Sequence, residues 1–201
     1  MPALDADVAE VLISETALSE RVAALGMEIT SAYASGPPPL LVGIIKGVTF
    51  FMADLMRAID LPVEVDFLAI SRYGPQERGG GGGVRVLQDL SAPILDRRVI
   101  VVEDVVDTGL PLSFVLRMLR TRAPASLEVC ALLDRQSVRL IDIQLAYVGF
   151  TVADRFVVGY GLDYREKYRN LPYIGVLRPD VTANGYWAGS CPVTERAAPV
   201  R

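Results

Sequence analysis

Histidine is absent from this chain of 201 residues. It is the side chain that most often moves protons near neutral pH and the commonest transition-metal ligand in proteins. Its absence leaves any acid–base chemistry to Asp, Glu, Lys, Tyr or Cys. A bound metal would then be a hard ion held by carboxylates and substrate oxygens, as Mg²⁺ is.

The chain also has few cysteines, no excess of positive charge and no long apolar run without a charged residue. Two cysteines are too few for a disulfide framework or a zinc site. The 24 acidic residues outnumber the 20 basic ones, giving a net charge of −4, which argues against a nucleic-acid partner. The most apolar stretch is interrupted by Lys46 and Asp54, so no membrane span is predicted. Because the N-terminus shows no signal-peptide pattern, we expect a soluble cytoplasmic protein.

Apolar strands alternate with helical segments along the chain. This alternation predicts an α/β fold with a mainly parallel central sheet flanked by helices, and a ligand site at the carboxyl ends of the strands. Residues 71–83, rich in glycine, are predicted to form a flexible loop, and the tail 182–201 to be partly disordered. The predicted helices are 16–33, 48–59 and 110–122, and the predicted strands are 40–45, 63–70, 84–90, 98–104, 126–134, 146–152, 155–164 and 173–177.

The segment "VIVVEDVVDTGLPLSFVL", residues 99–116, places three acids and a glycine where a buried strand meets a helix. Gly109 can adopt a positive φ, so that successive backbone N–H groups converge on an anion beside the helix N-terminus. Glu103 and Asp104 accept hydrogen bonds, and suit ribose hydroxyls or Mg²⁺. A phosphate receptor beside hydroxyl acceptors describes a ribose 5-phosphate site. A strand–turn–helix with a polar rim is the simpler alternative.

Several motifs in order resemble one known family. "VIVVEDVVDTG" is similar to the phosphoribosyl-pyrophosphate signature of the type I phosphoribosyltransferases, and "RFVVGYGLDYREKYRNLPYIGVL" is similar to the C-terminal signature of their hypoxanthine-guanine branch. "GIIKG", "VDFLAISRYG" and "CALLDRQ" match that branch in the same order, so the resemblance covers roughly residues 11–177.

The resemblance implies an architecture and a reaction. It implies one domain over residues 1–181, with a core of about 35–160, a small hood from the N-terminal segment and about 161–181, and a flexible lid over 71–84. It also implies transfer of a 5-phosphoribosyl group from phosphoribosyl pyrophosphate to hypoxanthine or guanine, giving IMP or GMP and pyrophosphate in purine salvage. Mg²⁺ would be the cofactor and the assembly a homodimer or homotetramer, with no nucleic-acid or membrane partner.

Roles for individual residues follow from the same resemblance. Asp107 matches the acid that faces the purine N7 and manages its proton; a helix cap is its alternative role. Without the resemblance, Phe156 would be a core aromatic and the cluster "DYREKYR" a surface charge patch. The remaining implied residues are Glu103, Asp104, Thr108, Gly109, Leu110, Lys46, Gly47 and Arg169 for phosphoribosyl pyrophosphate, Arg135, Phe156 and Val157 for the purine, Arg72 and Tyr73 for the lid, and Asp163, Glu103 and Asp104 for Mg²⁺.

Three residues depart from the family pattern at the implied site. Pro111 stands where a phosphate-binding threonine is common, and proline offers neither N–H nor hydroxyl. Arg135 replaces a lysine that reads the purine 6-oxo group, and Arg72 replaces a serine beside the lid tyrosine. These departures leave two alternatives open: a non-catalytic nucleotide-binding regulator of the same fold, or a phosphoribosyltransferase for a different base.

Overall fold

The computed structural model describes residues 5–73 and 83–182. Within them the chain forms eight strands and four helices, with single 3₁₀ turns at Asp5–Asp7 and Gln136–Val138. In chain order the elements are β1 (Val8–Ile13), α1 (Glu15–Ala32), β2 (Leu40–Ile45), α2 (Thr49–Ala58), β3 (Glu64–Tyr73), β4 (Gly83–Gln88), β5 (Arg98–Val106), α3 (Leu110–Arg120), β6 (Ser126–Asp134), β7 (Tyr147–Thr151), β8 (Ile174–Leu177) and α4 (Pro179–Thr182).

A six-stranded sheet in the order β4-β3-β2-β5-β6-β7 forms the centre of the fold. The pairs from β3 to β7 are all parallel, and only β4 runs antiparallel to its neighbour β3. The predicted α/β fold with a mainly parallel sheet is therefore confirmed. The five parallel strands end at one edge, which is where ligand sites of such sheets lie.

Period-2 alternation in the buried strands explains why helices cover both faces of the sheet. In β5, Ile100 and Val102 point into the core that contains α1 and α2. Val99 and Val101 point into the opposite core, against α3. Successive side chains of a strand face opposite sides, so a continuous apolar run needs a helix layer on each side.

A second, two-stranded sheet joins the two ends of the described chain. β1 pairs antiparallel with β8, with Glu10 opposite Val176. Ile13 of β1 and Ile174 of β8 pack in the same core cluster as α1 and α2. The N- and C-terminal segments thus pair with each other, while the hood, the core and their limits stay a prediction.

Two of the sequence-based element assignments were wrong. The segment 155–164, predicted as a strand, has positive φ at Gly159, Tyr160 and Gly161 and forms only isolated bridges. Positive φ takes the backbone out of the extended region. Residues 71–73 and 83, predicted as loop, belong to β3 and β4. β1 was not predicted from the sequence.

The remaining predicted helices and strands are confirmed to within a few residues at each end. No helix of the described residues is both long and apolar enough to cross a bilayer. The predicted tail beyond Thr182, and residues 74–82 of the predicted lid, lie outside the described residues.

Candidate active site

A pocket of about 250 Å³ opens at the carboxyl edge of the parallel strands. The turns after β2 and β5 and the start of α3 supply most of its walls. The predicted site residues that line it are Lys46, Gly47, Glu103, Asp104, Asp107, Thr108 and Gly109, together with the family departure Pro111. Residues separated by some 60 positions in sequence therefore meet in one cavity because β2 and β5 are neighbours in the sheet.

The turn after β5 has the geometry of an anion receptor. Gly109 adopts φ 79°, and a Cβ there would approach the carbonyl oxygen of Ile141 to 2.9 Å. α3 starts directly afterwards, and N–H groups in the first turn of a helix have no intrahelical partner. The N–H of Leu110 donates to Oγ1 of Thr108 at 3.4 Å. Pro111 lies in the first turn of α3, a position where proline is tolerated because the N–H has no intrahelical partner. It nevertheless removes one N–H from the receptor. Leu110, predicted to bind the substrate, is 47% exposed and does not line the pocket.

The acids that end β5 lie deep in the pocket wall. Glu103 is buried, and Asp104 accepts a hydrogen bond from the N–H of Val105 at 2.8 Å. Burial raises the pKa of Asp104 to about 6, although the hydrogen bond from Val105 and, more weakly, the charge of Arg169 act to lower it. Carboxylates at this depth can accept hydrogen bonds from hydroxyl groups that replace the lost water.

The turn after β2 brings Lys46 and Gly47 to the pocket. The peptide between Ile45 and Lys46 is cis. Gly47 packs directly against the Asp104 carboxylate, since a Cβ at position 47 would lie 1.6 Å from Oδ2. Gly161, with φ 101°, packs against the carbonyl oxygen of Gly47, so a Cβ at position 161 would collide with that oxygen. Only residues without side chains fit both positions.

Two cations of the predicted pyrophosphate site are joined through one carboxylate. Oε2 of Glu166 lies 3.1 Å from Nζ of Lys46 and 3.2 Å from Nη2 of Arg169. The same Nη2 lies 2.8 Å from Oδ1 of Asp163, and Nη1 donates to the carbonyl oxygen of Gly161 at 2.7 Å. Lys46 first and Arg169 second lower the pKa of Glu166. Lys46, Asp163, Glu166 and Arg169 thus form one connected cluster, and the roles implied for them stay predictions.

The residues implied for the purine are only partly assembled. Nη1 of Arg135 lies 3.0 Å from Oδ1 of Asp107, and Nη2 pairs with Asp154. Phe156 instead packs edge-on against Tyr164, with ring centroids 5.7 Å apart, and Val157 is buried in the main core. None of the three lines the pocket, so their predicted contacts with the base stay predictions.

The family profile for the phosphoribosyl transferase domain matches residues 14–165. The chain belongs to the phosphoribosyltransferase family. The hypoxanthine-guanine phosphoribosyltransferase of Bacillus subtilis is 46% identical over 175 residues, which cover 87% of this chain and 96% of the relative. A hypoxanthine phosphoribosyltransferase from Staphylococcus aureus has a similar structure, with a TM-score of 0.85 at 41% identity, covering 90% of this chain and 97% of its own.

A longer relative matches the chain as one part of a larger protein. The bifunctional protein TilS/HprT of Listeria monocytogenes is 45% identical over 175 residues. That match spans 87% of this chain but only 27% of the Listeria protein.

Three residues that were not predicted from the sequence contact the predicted site residues. Asp154 binds Arg135, and Glu166 joins Lys46 to Arg169. Arg139 donates from Nε to the carbonyl oxygen of Asp107 at 2.8 Å. The charge-rich segment "DYREKYR" signalled Glu166, but no local pattern marks Asp154 or Arg139 as partners of the site.

The predicted lid begins where β3 ends. The backbones of Arg72 and Tyr73 pair with Val84 and Gly83 of β4. Their predicted contacts with substrate stay a prediction, and residues 74–82 are not among those the structure describes.

The carboxylates fit Mg²⁺ only together with oxygens from a substrate. Among the described residues, no group of three or more Asp, Glu or Cys side chains could hold a metal ion. Mg²⁺ is commonly bound by one or two carboxylates, with water and substrate phosphates completing six ligands. Glu103 and Asp104 at the end of β5, and Asp163 beside Arg169, supply carboxylates of this kind on two sides of the Lys46 turn.

Proposed function

We propose that this phosphoribosyltransferase transfers the 5-phosphoribosyl group of phosphoribosyl pyrophosphate to a 6-oxopurine, hypoxanthine or guanine. The observation that carries the proposal is the pair of Asp107 and Arg135, an acceptor and a donor 3.0 Å apart beside the phosphate-binding turn. An oxopurine presents N7 and O6 side by side on one edge. N7–H can donate to Asp107 while O6 accepts from Arg135.

The pocket supports the rest of the reaction by position and charge. The turn at Thr108 and Gly109 would hold the 5-phosphate, and Glu103 and Asp104 would accept from the ribose hydroxyls. Lys46 and Arg169 would bind the pyrophosphate oxygens, for which a guanidinium fork is well suited. Mg²⁺, held by Asp163 or by Glu103 and Asp104, would neutralise charge developing on the leaving pyrophosphate.

The chemical change is a substitution at C1 of the ribose. The C1–O bond to pyrophosphate breaks, N9 of the purine forms the new bond to C1, and the base loses one proton. Asp107, as a carboxylate close to N7, is the group proposed to take that proton. No histidine competes for this role, because the chain contains none.

A panel of bases tests the proposal. The protein is incubated with phosphoribosyl pyrophosphate and Mg²⁺ and, separately, with hypoxanthine, guanine, xanthine, adenine or uracil, and nucleotide formation is followed. We expect product from hypoxanthine or guanine, and none after chelation of Mg²⁺. If protein that binds phosphoribosyl pyrophosphate converts no oxopurine, the proposal fails. Conversion of another base alone would favour the different-base alternative, to which Arg135 points.

The resemblance also supports a homodimer or homotetramer in the cytoplasm. Light scattering on the purified chain tests the subunit number. A monomer at micromolar concentration would contradict this part of the proposal.

A further inference from the structure

The segments that follow three neighbouring parallel strands each carry one charged residue of a connected row, and the first of these residues, Asp107, lines the pocket. Val106 of β5 is in register with Asp134 of β6, which is in register with Thr151 of β7. The residues that follow these positions are Asp107, Arg135 and, three places after Thr151, Asp154. The sheet register therefore sets the spacing of Asp107 and Arg135, while Asp154 lies on the segment that follows β7.

Arg135 is the centre of the row and is held by both carboxylates. Nη1 lies 3.0 Å from Oδ1 of Asp107, and Nη2 pairs with Oδ1 of Asp154. The arginine is 7% exposed, and its Nε, closed off from solvent, has no hydrogen-bond partner among the described residues. The backbone is fixed too, because the N–H of Arg135 donates to the carbonyl oxygen of Val106 at 3.1 Å. The orientation of the Arg135 guanidinium is thus set mainly by its ion pairs with Asp107 and Asp154.

We propose that Asp154 is a positioning residue for recognition of the purine base, acting through Arg135. This inference rests on the proposed oxopurine reaction. Asp154 holds Nη2, so that Arg135 offers a single donor, Nη1, next to the acceptor oxygen of Asp107. That donor and acceptor face the O6 and N7–H of the base.

Without Asp154, the guanidinium of Arg135 would bind the Asp107 carboxylate more strongly than it binds the base. A guanidinium and a carboxylate prefer two parallel hydrogen bonds, so a released Nη2 would turn to the second oxygen of Asp107. Arg135 and Asp107 would then form a two-bond ion pair with each other, and neither would be available to bind the base. With Asp154 in place the row carries one net negative charge, which keeps Asp107 available as an acceptor.

The role of Asp154 depends on the residue at 135 being an arginine. Lysine carries a compact ammonium on a flexible stem and has no planar fork to orient. In an Arg135→Lys protein, removal of the Asp154 charge should therefore matter much less. This dependence distinguishes positioning from a general contribution of Asp154 to folding.

A double-mutant cycle tests the proposal. Asp154→Asn is made in the wild-type and in the Arg135→Lys backgrounds, and kcat and the two KM values are measured for hypoxanthine and phosphoribosyl pyrophosphate. We expect Asp154→Asn to raise KM for hypoxanthine about tenfold in wild type and less than about twofold in the Arg135→Lys background. KM for phosphoribosyl pyrophosphate should stay within about twofold in both. Asp154→Glu, which keeps the carboxylate, should recover most of the loss.

The matched control is Asp89→Asn. Asp89 also pairs with an arginine, Arg122, at 2.8 Å, but at the opposite edge of the sheet, and its variant should keep both KM values. Asp154→Ser is the second variant if Asp154→Asn melts at a lower temperature than wild type, and the same KM changes are expected of it.

Two results would overturn the inference alone. One is an unchanged KM for hypoxanthine in Asp154→Asn made from an active wild-type protein. The other is an equal rise in KM in both backgrounds. A wild-type protein that converts no oxopurine instead overturns the proposed function, and this inference with it.

Discussion

Gly47 and Asp104 are fitted to each other so closely that a Cβ atom at position 47 would lie 1.6 Å from Oδ2 of Asp104. The contact joins the turn after β2 to the acid at the end of β5. It places the predicted pyrophosphate cation Lys46 next to the acids proposed for the ribose. Glycine at 47 is thus a requirement of the pocket as well as of the turn.

Replacing Gly47 by alanine should disrupt the pocket while leaving the sheet folded. The added methyl group must displace the Asp104 carboxylate or the Lys46 turn, and overpacking of this kind costs about 1–3 kcal/mol. We expect phosphoribosyl pyrophosphate to bind at least about tenfold more weakly, measured by calorimetry with Mg²⁺. In the double variant Gly47→Ala/Asp104→Ala the collision is removed, so the melting temperature should recover while binding stays weak. Wild-type affinity in Gly47→Ala would refute this account of the contact.

Replacing Glu166 by glutamine should strengthen pyrophosphate binding. The Glu166 carboxylate holds Lys46 and Arg169 in the absence of substrate, so pyrophosphate has to compete with it for both cations. All three side chains are at least partly open to solvent, and exposed ion pairs are weak, so the expected gain is roughly two- to fivefold. Titration of the protein with magnesium pyrophosphate measures it.

The control for Glu166→Gln is Asp180→Asn, which breaks the exposed pair of Asp180 and Arg178 between β8 and α4. That change should leave pyrophosphate affinity as it is. A weaker affinity in Glu166→Gln would mean that Glu166 orients the cations for the substrate and does not compete with it.

Strands buried on both faces could be predicted from the sequence, and strands defined by distant partners could not. β2 and β6 are continuous apolar runs, and their predicted bounds agree with the structure. β1 is a short strand of a two-stranded sheet, and its partner β8 lies far along the chain. The segment 155–164 has the composition of a strand, but the glycines at 159 and 161 and the positive φ of Tyr160 give it a looped path.

The same distinction applies to the candidate site. Glu103, Asp104, Asp107 and Gly109 lie in one short motif, and the structure gathers them in one pocket. Asp154 could not be predicted as a partner of Arg135, because their contact depends on the register of β6 and β7 and on one side-chain conformation.

Arg139 should prove essential for stability, because it neutralises a buried acid next to the turn that follows β5. It pairs with Asp134, which is 4% exposed, and donates to the carbonyl oxygens of Val106 and Asp107 at 3.0 and 2.8 Å. Removing one partner of a buried ion pair costs roughly 3–5 kcal/mol. We expect Arg139→Met to lose about that much free energy of unfolding in urea.

The double variant Arg139→Met/Asp134→Asn checks the cause of that loss. Removing the buried charge should restore a large part of the stability, while the hydrogen bonds to the turn remain missing. Equal stability of the single and double variants would show that the carbonyl contacts, and not the unpaired Asp134, dominate.

Replacing Asp107 by asparagine should separate substrate binding from transfer. Asparagine has nearly the same shape, and its amide oxygen can still accept from Nη1 of Arg135, so the rim keeps its geometry. It cannot take the proton that the purine loses, and loss of a positioned general base slows reactions about 10²- to 10⁴-fold. We expect kcat for hypoxanthine to fall by that order, while phosphoribosyl pyrophosphate binds as in wild type by calorimetry. An unchanged kcat would remove Asp107 from the proton transfer, and a matching loss of phosphoribosyl pyrophosphate affinity would instead assign it to the phosphate-binding turn.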